Sequence, residues 1–550
     1  MAEDRELGLS RRSFLVAGAS LLGLAAVGAW RAWLRGAAAP ELEGAIVGPS
    51  MKLGHLLRAG GFPAPSGPVE RTTVAILGAG ISGLSAAWKL ERSGLRDFRV
   101  LELEETPGGN ARWGESEVTP YPWGAHYVPL PRPETRAVSE LLRELKVELG
   151  RDAAGRPVYD DRFLCLAPTE RLFLHGRWQE GLFPRLGASE RDLGQLRGFE
   201  AAMARWRARR GSDGRRAFAL PMELSSRDPE LLALDRLTMA EYLRRNGWDS
   251  PRLRWYVEYA CRDDYGSLLE ETSAWAGLHY FAARGEGPED QVLTWPEGNG
   301  WLARRLAAVA GGRLKSRTLA YRVSPAEDGV EIEYLDAASG RAHRLRARAA
   351  LVCLPQFAAA RLLAPWAKAP PPWLPAFEYS SWMVANLSVD APPEGHGAPP
   401  AWDNVLYQSD SLGYVDAKHQ TLSQDRRRSV WTYYLPLTGR APRELRAKAL
   451  ATGWTDWKDR TLAELSRAHP GLERHVRRLD VMVWGHGMVK PKPGFLWGAD
   501  RRKAAEPLGR VYFGHSDLSG FSLFEEAQHR GLKAAQDAMK ALGHPHVPSV

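Results

Sequence analysis

Cysteine is scarce in this chain. Among 550 residues there are three, Cys165, Cys261 and Cys353. They are odd in number and far apart, which excludes a disulfide framework, and no zinc-ligand spacing accompanies them, so no metal is expected. Their apolar and aromatic neighbours predict buried packing residues. Any interleaved basic and aromatic repeat is also missing, which argues against nucleic acid as a partner. Neither sign of charge dominates: the net charge is +9, spread thinly except at residues 205–216 (RWRARRGSDGRR). That cluster reads as a solvated helix face and loop, with anionic lipid or an acidic partner as the alternative. What is present is ordinary for a globular protein. Hydrophobic residues make up 44% and charged residues 25%, in a length that suits two or three domains, or one with large insertions. The 21 tryptophans read mostly as core packing, although such side chains also suit large pockets.

The N-terminus reads as an address rather than as part of the fold. Ser10-Arg11-Arg12-Ser13-Phe14-Leu15 matches the twin-arginine export signal and leads into an uncharged stretch over residues 13–30. A generic anchor preceded by two chance arginines is the alternative. The twin-arginine route carries folded proteins, so a protein that acquires its cofactor in the cytoplasm could work outside it. The expected location is periplasmic or extracytoplasmic, with the export machinery as a partner. Gly36-Ala37-Ala38-Ala39 offers small residues to a peptidase, and an uncleaved segment would be long enough for a membrane anchor. Residues 37–70, rich in Gly, Pro and Ala, predict a linker and surface tether with one short helix over 51–58.

The rest of the chain is organised around residues 74–102. Val74-Ala75-Ile76-Leu77 is the apolar run of a fully buried parallel strand. Gly78-Ala79-Gly80-Ile81-Ser82-Gly83 follows with G-x-G-x-x-G spacing, then Leu84, Ala87 and Trp88 at helical spacing, then a strand over 98–101. Gly78 permits the tight turn, Gly80 lets the backbone approach a pyrophosphate, and Gly83 lets helix and strand pack closely. Ile81 and Ser82 open the helix, whose unpaired N–H groups and positive dipole end face the phosphates. Glu102 lies nineteen residues past Gly83, where a carboxylate can accept from ribose hydroxyls. The pattern specifies an adenine dinucleotide and leaves NAD and FAD both open.

Later segments narrow the choice. Thr106-Pro107-Gly108-Gly109-Asn110-Ala111-Arg112 adds a second glycine pair just past the acid. Tyr121-Pro122-Trp123-Gly124-Ala125-His126-Tyr127 and Trp295-Pro296-Glu297-Gly298-Asn299-Gly300 are two further glycine-bearing turns, and an apolar run ends at Pro355. Phe513-Gly514-His515-Ser516-Asp517 is followed by Phe524-Glu525-Glu526-Ala527 near the C-terminus. With these segments, residues 71–540 resemble the FAD-dependent amine oxidase, protoporphyrinogen oxidase and phytoene desaturase superfamily.

The resemblance implies FAD as cofactor and an α/β fold, with a Rossmann-type FAD-binding domain and an inserted mixed α+β substrate domain. It implies backbone contacts from Gly108 and Gly109 and an adenine contact at Ala320. Flavin-side roles fall to Asp517, Glu525 and Ala527. The family's pyrophosphate arginine directly follows the glycine pair; here Asn110 stands there, and the role passes to Arg112. His126 and His486 become candidates for the substrate pocket, each with a structural hydrogen-bonded role as the alternative. The family's cage aromatics fall on Phe495 or Leu496 and on Leu523. Its strand lysine is missing, since none occurs between Lys368 and Lys418.

These readings divide the chain into a signal or anchor (1–36), a linker (37–70), FAD-binding segments (71–133, 291–375, 501–540) and a tail (541–550). Between the FAD-binding segments lie substrate-domain segments at 134–290, mostly helical, and 376–500, sheet-like. Within the first, Cys261-Arg262-Asp263-Asp264-Tyr265-Gly266 reads as a buried salt-bridge network, with a pocket lining as the alternative. The expected reaction takes a hydride from a small organic substrate to flavin N5, with O2 or a quinone as acceptor. The substrate would be an amine, or an alkene- or porphyrinogen-like C–H compound. The competing classes are an NAD-dependent dehydrogenase and a non-catalytic flavin-bound interaction protein. The second glycine pair and the C-terminal motif argue against the dehydrogenase. No catalytic side chain is assigned.

Overall fold

A computed structural model describes residues 42–285, 291–423 and 425–549. The export motif and the uncharged run after it lie outside the described residues. The frame is a seven-stranded sheet with Glu70–Leu77 near its centre. Phe98–Leu101 and then Leu314–Lys315 extend it in parallel on one side, and Arg341–Val352 joins in parallel on the other. Val511–Phe513 adds in parallel to Arg341–Val352, while Gly329–Asp336 and Thr318–Ala326 fold back antiparallel. Three stretches distant in sequence thus build one sheet.

The side chains explain the arrangement. Val74, Ala75, Ile76 and Leu77 are fully buried, which demands cover on both faces of the strand. Helix Ile81–Arg92 supplies part of it and packs on the C-terminal helix Phe524–Ala541. The approach is backbone-close. A Cβ on Gly83 would stand 1.9 Å from the Gly78 carbonyl oxygen, and one on Gly531 would stand 2.0 Å from the Ser82 carbonyl oxygen. Any side chain at either place would force the helix away.

A second seven-stranded sheet runs in the order Val476–Val489, Tyr379–Asp390, Arg428–Leu437, Tyr414–Asp416, Asp403–Leu406, Glu170–Leu174, Arg177–Glu180. Its last two strands are a hairpin from the helical insertion, so both insertions share one sheet. Strand Val476–Val489 carries a wide bulge. Ser380 pairs with Met488 and Trp382 with Trp484, so two steps of one strand span four of the other. Gly485, His486 and Gly487 are pushed out of the ladder there.

The stretch read as a linker differs from that expectation over its described part. The short helix is present as Met51–Ala59, but the segment around it does not hang free. Ile46 bridges to Val481 of the second sheet, and Phe62 stacks on Tyr321 of the first with ring centroids 4.1 Å apart. Its apolar residues have partners, which a tether would lack. The three cysteines are free and buried. In the arginine cluster Arg205, Arg210 and Arg215 are exposed, while Arg216 turns inward and donates to the Ala282 carbonyl at 3.0 Å. Among the described residues no helix is long and apolar enough to cross a membrane.

Candidate active site

At the ends of the parallel strands two glycine turns face each other. Gly78 has φ +96° and Gly108 φ +121°, conformations that glycine alone holds without strain. Gly108 N donates to the Ala79 carbonyl at 2.8 Å, and a Cβ on Gly109 would lie 3.2 Å from Gly80 Cα. The result is a groove whose glycine floor has no side chains. Helices Ile81–Arg92 and Phe524–Ala541 both point their N-termini into it, each bringing unpaired N–H groups and a positive dipole end. Ser82 Oγ is buried in the wall without a partner. Glu102 is buried beside it, with Oε2 accepting from Ala79 N at 2.5 Å and Oε1 from Glu104 N at 2.9 Å. Burial raises its pKa, against the pull of those two bonds. A bare floor, two dipole ends, an orphaned hydroxyl and a fixed carboxylate fit the ADP half of FAD.

Both glycine turns, Ile81, Ser82, Glu102, Asp517 and Ala527 line this groove as the sequence predicts. Burial would raise the Asp517 carboxyl, but His515, 2.9 Å away, and the Tyr379 hydroxyl at 2.5 Å hold it below its usual range. Arg112, Gly83, Ala320 and Glu525 lie outside the lining, Glu525 because the first turn of its helix points it into the neighbouring cavity. Arg112 turns away to pair with Glu104 at 2.8 Å, with its guanidinium 5.1 Å over the Trp484 ring. Asn110, in the family's arginine place, lines the groove instead and donates to the Gly487 carbonyl at 2.5 Å. Gly83 serves the helix packing. Ala320 follows two residues after Thr318, whose N–H binds the Glu102 carbonyl at 2.7 Å.

At its far end the groove meets a second cavity, sharing Asn110, Ala125, Gly487 and Leu523 with it. Trp382, Tyr434, Trp484 and Met488 form apolar walls. Two of these rings are pinned to the turn at 121–127. Trp484 Nε1 donates to the Trp123 carbonyl at 2.8 Å, and the Tyr434 hydroxyl donates to the Gly124 carbonyl at 2.9 Å. His126 stands 4.8 Å from the Tyr434 ring, and burial lowers its pKa to about 4, so it is neutral.

The remaining wall is acidic. Asp264 is clamped by Arg284 Nη2 at 2.7 and 2.6 Å. Asp263 beside it is enclosed by protein yet exposes surface to the cavity, with the Tyr127 hydroxyl as its partner. Burial raises the Asp263 carboxyl, and the Asp264 charge adds to the effect. Burial also pushes Glu525 up to about 7. Behind the wall and outside the lining, the Asp403 carboxyl is raised as well, first by burial and then by Asp263 and Glu170. Carboxyls therefore outnumber the single guanidinium of Arg284, whose charge is committed to Asp264. Such a wall favours a cation.

His126 lines this cavity as predicted, but His486 does not. The bulge turns His486 into the cofactor groove, where it stacks on Phe357 at 4.0 Å and burial lowers its pKa to about 3. Leu523 stands at its expected place. Phe495 and Leu496 are core residues, Phe495 packing on Phe377 at 5.1 Å. The cluster at 261–266 fills both of its readings: Arg262 is structural, Asp264 is salt-bridged to Arg284 within the cavity wall, and Asp263 lines the cavity beside it. Trp382 and Tyr434 belong to no motif in the sequence, yet both line the cavity. The signal for them was period two, since Val384 pairs with Tyr434 and Trp382 lies two residues before Val384 on the same face.

Residues 81–539 match the family model of flavin containing amine oxidoreductases. Among solved structures, a putrescine oxidase double mutant redesigned in cofactor binding superposes with TM-score 0.63 at 18% identity, covering 86% of this chain and 100% of that one. Cyclohexylamine oxidase from Brevibacterium oxydans IH-35A gives 0.59 at 17% identity over 86% and 99%. A CLA-producing fatty acid isomerase from P. acnes gives 0.60 at 14% over 86% and 98%. A search of curated proteins finds no match. Identities this low establish a shared fold.

Proposed function

The chain belongs to the flavin-containing amine oxidoreductases and is an FAD-dependent oxidoreductase, and from that premise we propose that it oxidises an amine carried on an apolar body. The observation that supports this reading is the acidic wall of Asp263 and Glu525 in a cavity otherwise bounded by Trp382, Tyr434, Trp484 and Met488. A polyene has no charge to offer those carboxyls, and the carboxylates of a porphyrinogen would be repelled by them. FAD, when bound, supplies the two-electron acceptor for a hydride leaving the carbon beside nitrogen.

The chain's own residues do the rest. An ammonium enters against the Asp263 carboxylate, while the aromatic walls hold the carbon body and exclude water, which strengthens the attraction. The nitrogen needs its lone pair before the adjacent C–H bond can release a hydride. Asp263 takes that proton, so that R–NH3+ and carboxylate become R–NH2 and carboxylic acid. Its raised pKa suits a group that accepts a proton near neutral pH. Arg284 holds the neighbouring Asp264 and so keeps Asp263 turned toward the cavity. Anaerobic mixing of the yellow protein with amines, porphyrinogens and polyenes tests the proposal. Bleaching by amines is expected; bleaching by a polyene or porphyrinogen alone would sink it.

The twin-arginine motif at residues 10–15 further supports export of the folded, FAD-loaded protein, with O2 or a membrane quinone as acceptor outside the cytoplasm. Cell fractionation of the Arg11→Lys, Arg12→Lys variant tests this: unchanged accumulation outside the cytoplasm would remove the proposal.

A further inference from the structure

Residues 44–66 lie ahead of the stretch that matches the family, yet they reach both sheets. They begin along the edge strand Val476–Val489. Val47 N donates to the Val481 carbonyl at 2.8 Å, Val481 N to the Ala45 carbonyl at 2.9 Å, and Ala45 N to Asp480 Oδ1 at 3.1 Å. The backbones are so close that a Cβ on Gly44 would stand 1.8 Å from the Leu479 carbonyl oxygen. The chain then crosses to the cofactor side. Ser50 gives both its N–H and its hydroxyl to Glu104, at 2.9 Å each. Helix Met51–Ala59 lays Leu53, Leu56 and Leu57 against Leu103, Leu319 and Leu335. Past Phe62, Ser66 N closes the segment onto the Ala342 carbonyl at 2.9 Å.

What this segment grips is the back of the cofactor groove. Glu102 lines the groove, and its carboxylate is held by Glu104 N at 2.9 Å. Leu103 lines it too, and a Cβ on Gly54 would meet Leu103 Cδ2 at 3.5 Å. Glu104 also pairs with Arg112, just beyond the second glycine turn. Ser50, Glu104 and Arg112 therefore form one run of charge-assisted bonds joining the segment to both loops of the groove. No residue of helix Met51–Ala59 is fully buried, so the helix adds little to the core.

We propose that residues 44–66 are a strap that fastens the ADP end of the FAD site, with Ser50 a positioning residue that acts on Glu102 through Glu104. The inference concerns retention of the cofactor and is independent of which substrate is oxidised.

Linkage sets the test. A strap that tightens FAD binding is itself tightened by FAD, by the same factor. In the full-length holoprotein, Ser50→Ala is expected to release FAD roughly tenfold faster, the scale of one hydrogen bond to a charged group. Release is read as the return of free-flavin fluorescence after dilution. The exposed Gly60-Gly61 link should be cut by protease more slowly in the holo than in the apo form. Glu104→Gln should match Ser50→Ala, and the double variant should be no worse than either alone. An unchanged release rate, with thermal midpoints of holo and apo forms lowered equally, would make the strap purely structural and overturn the proposal. Additive effects in the double variant would overturn the route through Glu104.

Discussion

The cofactor groove and the substrate cavity lie end to end, yet they are made of different materials. The groove is mostly backbone: two glycine turns meeting at Gly80 and Gly109 and two helix N-termini, with the Glu102 and Asp517 carboxylates set in its wall. The cavity is side chain, with Asp263, Trp382, Tyr434 and Trp484 brought together from separate segments. A backbone surface needs glycine at set spacings, because only there can the chain turn and approach closely enough. A side-chain surface needs only shape and charge, which each chain can supply in its own way. That freedom is consistent with one fold serving proteins described as amine oxidases and as a fatty acid isomerase.

The contrast can be broken at three depths. Gly80→Val should have the largest effect. A Cβ there meets nothing nearer than Gly109 Cα at 3.9 Å, because the space belongs to the cofactor, so the purified variant should be colourless. A yellow variant with normal flavin content would show that the floor need not be bare.

Asp263→Asn should leave flavin content intact and lower kcat/KM for amines roughly hundredfold, the loss on removing one buried charge partner. The wild-type pH profile carries the same information. Burial raises both Asp263 and Glu525, the latter to about 7, so the wall gains negative charge and kcat/KM for amines climbs as pH rises through neutrality. Stability runs the other way. Glu525 is raised above its ordinary 4.5, so its contribution is full below 4.5 and is lost as pH rises through about 7. A flat profile in both variant and wild type would remove Asp263 from the site.

The smallest effect is expected at Phe495→Leu, which should cost about 1 kcal/mol of stability as a core substitution and leave kcat/KM unchanged. A large kinetic effect would return Phe495 to the cage position that the family resemblance assigns it.

This same contrast explains what could be read from the amino acids alone. Strand Phe98–Leu101 and the acid after it appear where the spacing places them, because hydrogen-bond geometry and glycine sterics act locally. His486 departs from the pocket place that the resemblance implies because the bulge at 485–487 pushes it out of the ladder and into the cofactor groove. Arg112 departs from the role the resemblance implies because Asn110 occupies that end of the turn and the guanidinium pairs with Glu104. The acidic wall depends on Asp264 finding Arg284 across a helix pair, a contact that no local pattern announces. Residues 44–66 looked like a tether because their composition is that of a loop, while their partners lie far downstream.

That distance carries a consequence of its own. Ala45 and Asp480 are 435 residues apart in the chain, and the edge strand to which residues 45–47 attach is among the final elements to be synthesised. Contacts so far apart form late, since a long loop must close before they yield anything. During synthesis residues 44–66 emerge before the surface that receives them has been made. This early segment is thus among the last to settle, after the second sheet has taken shape.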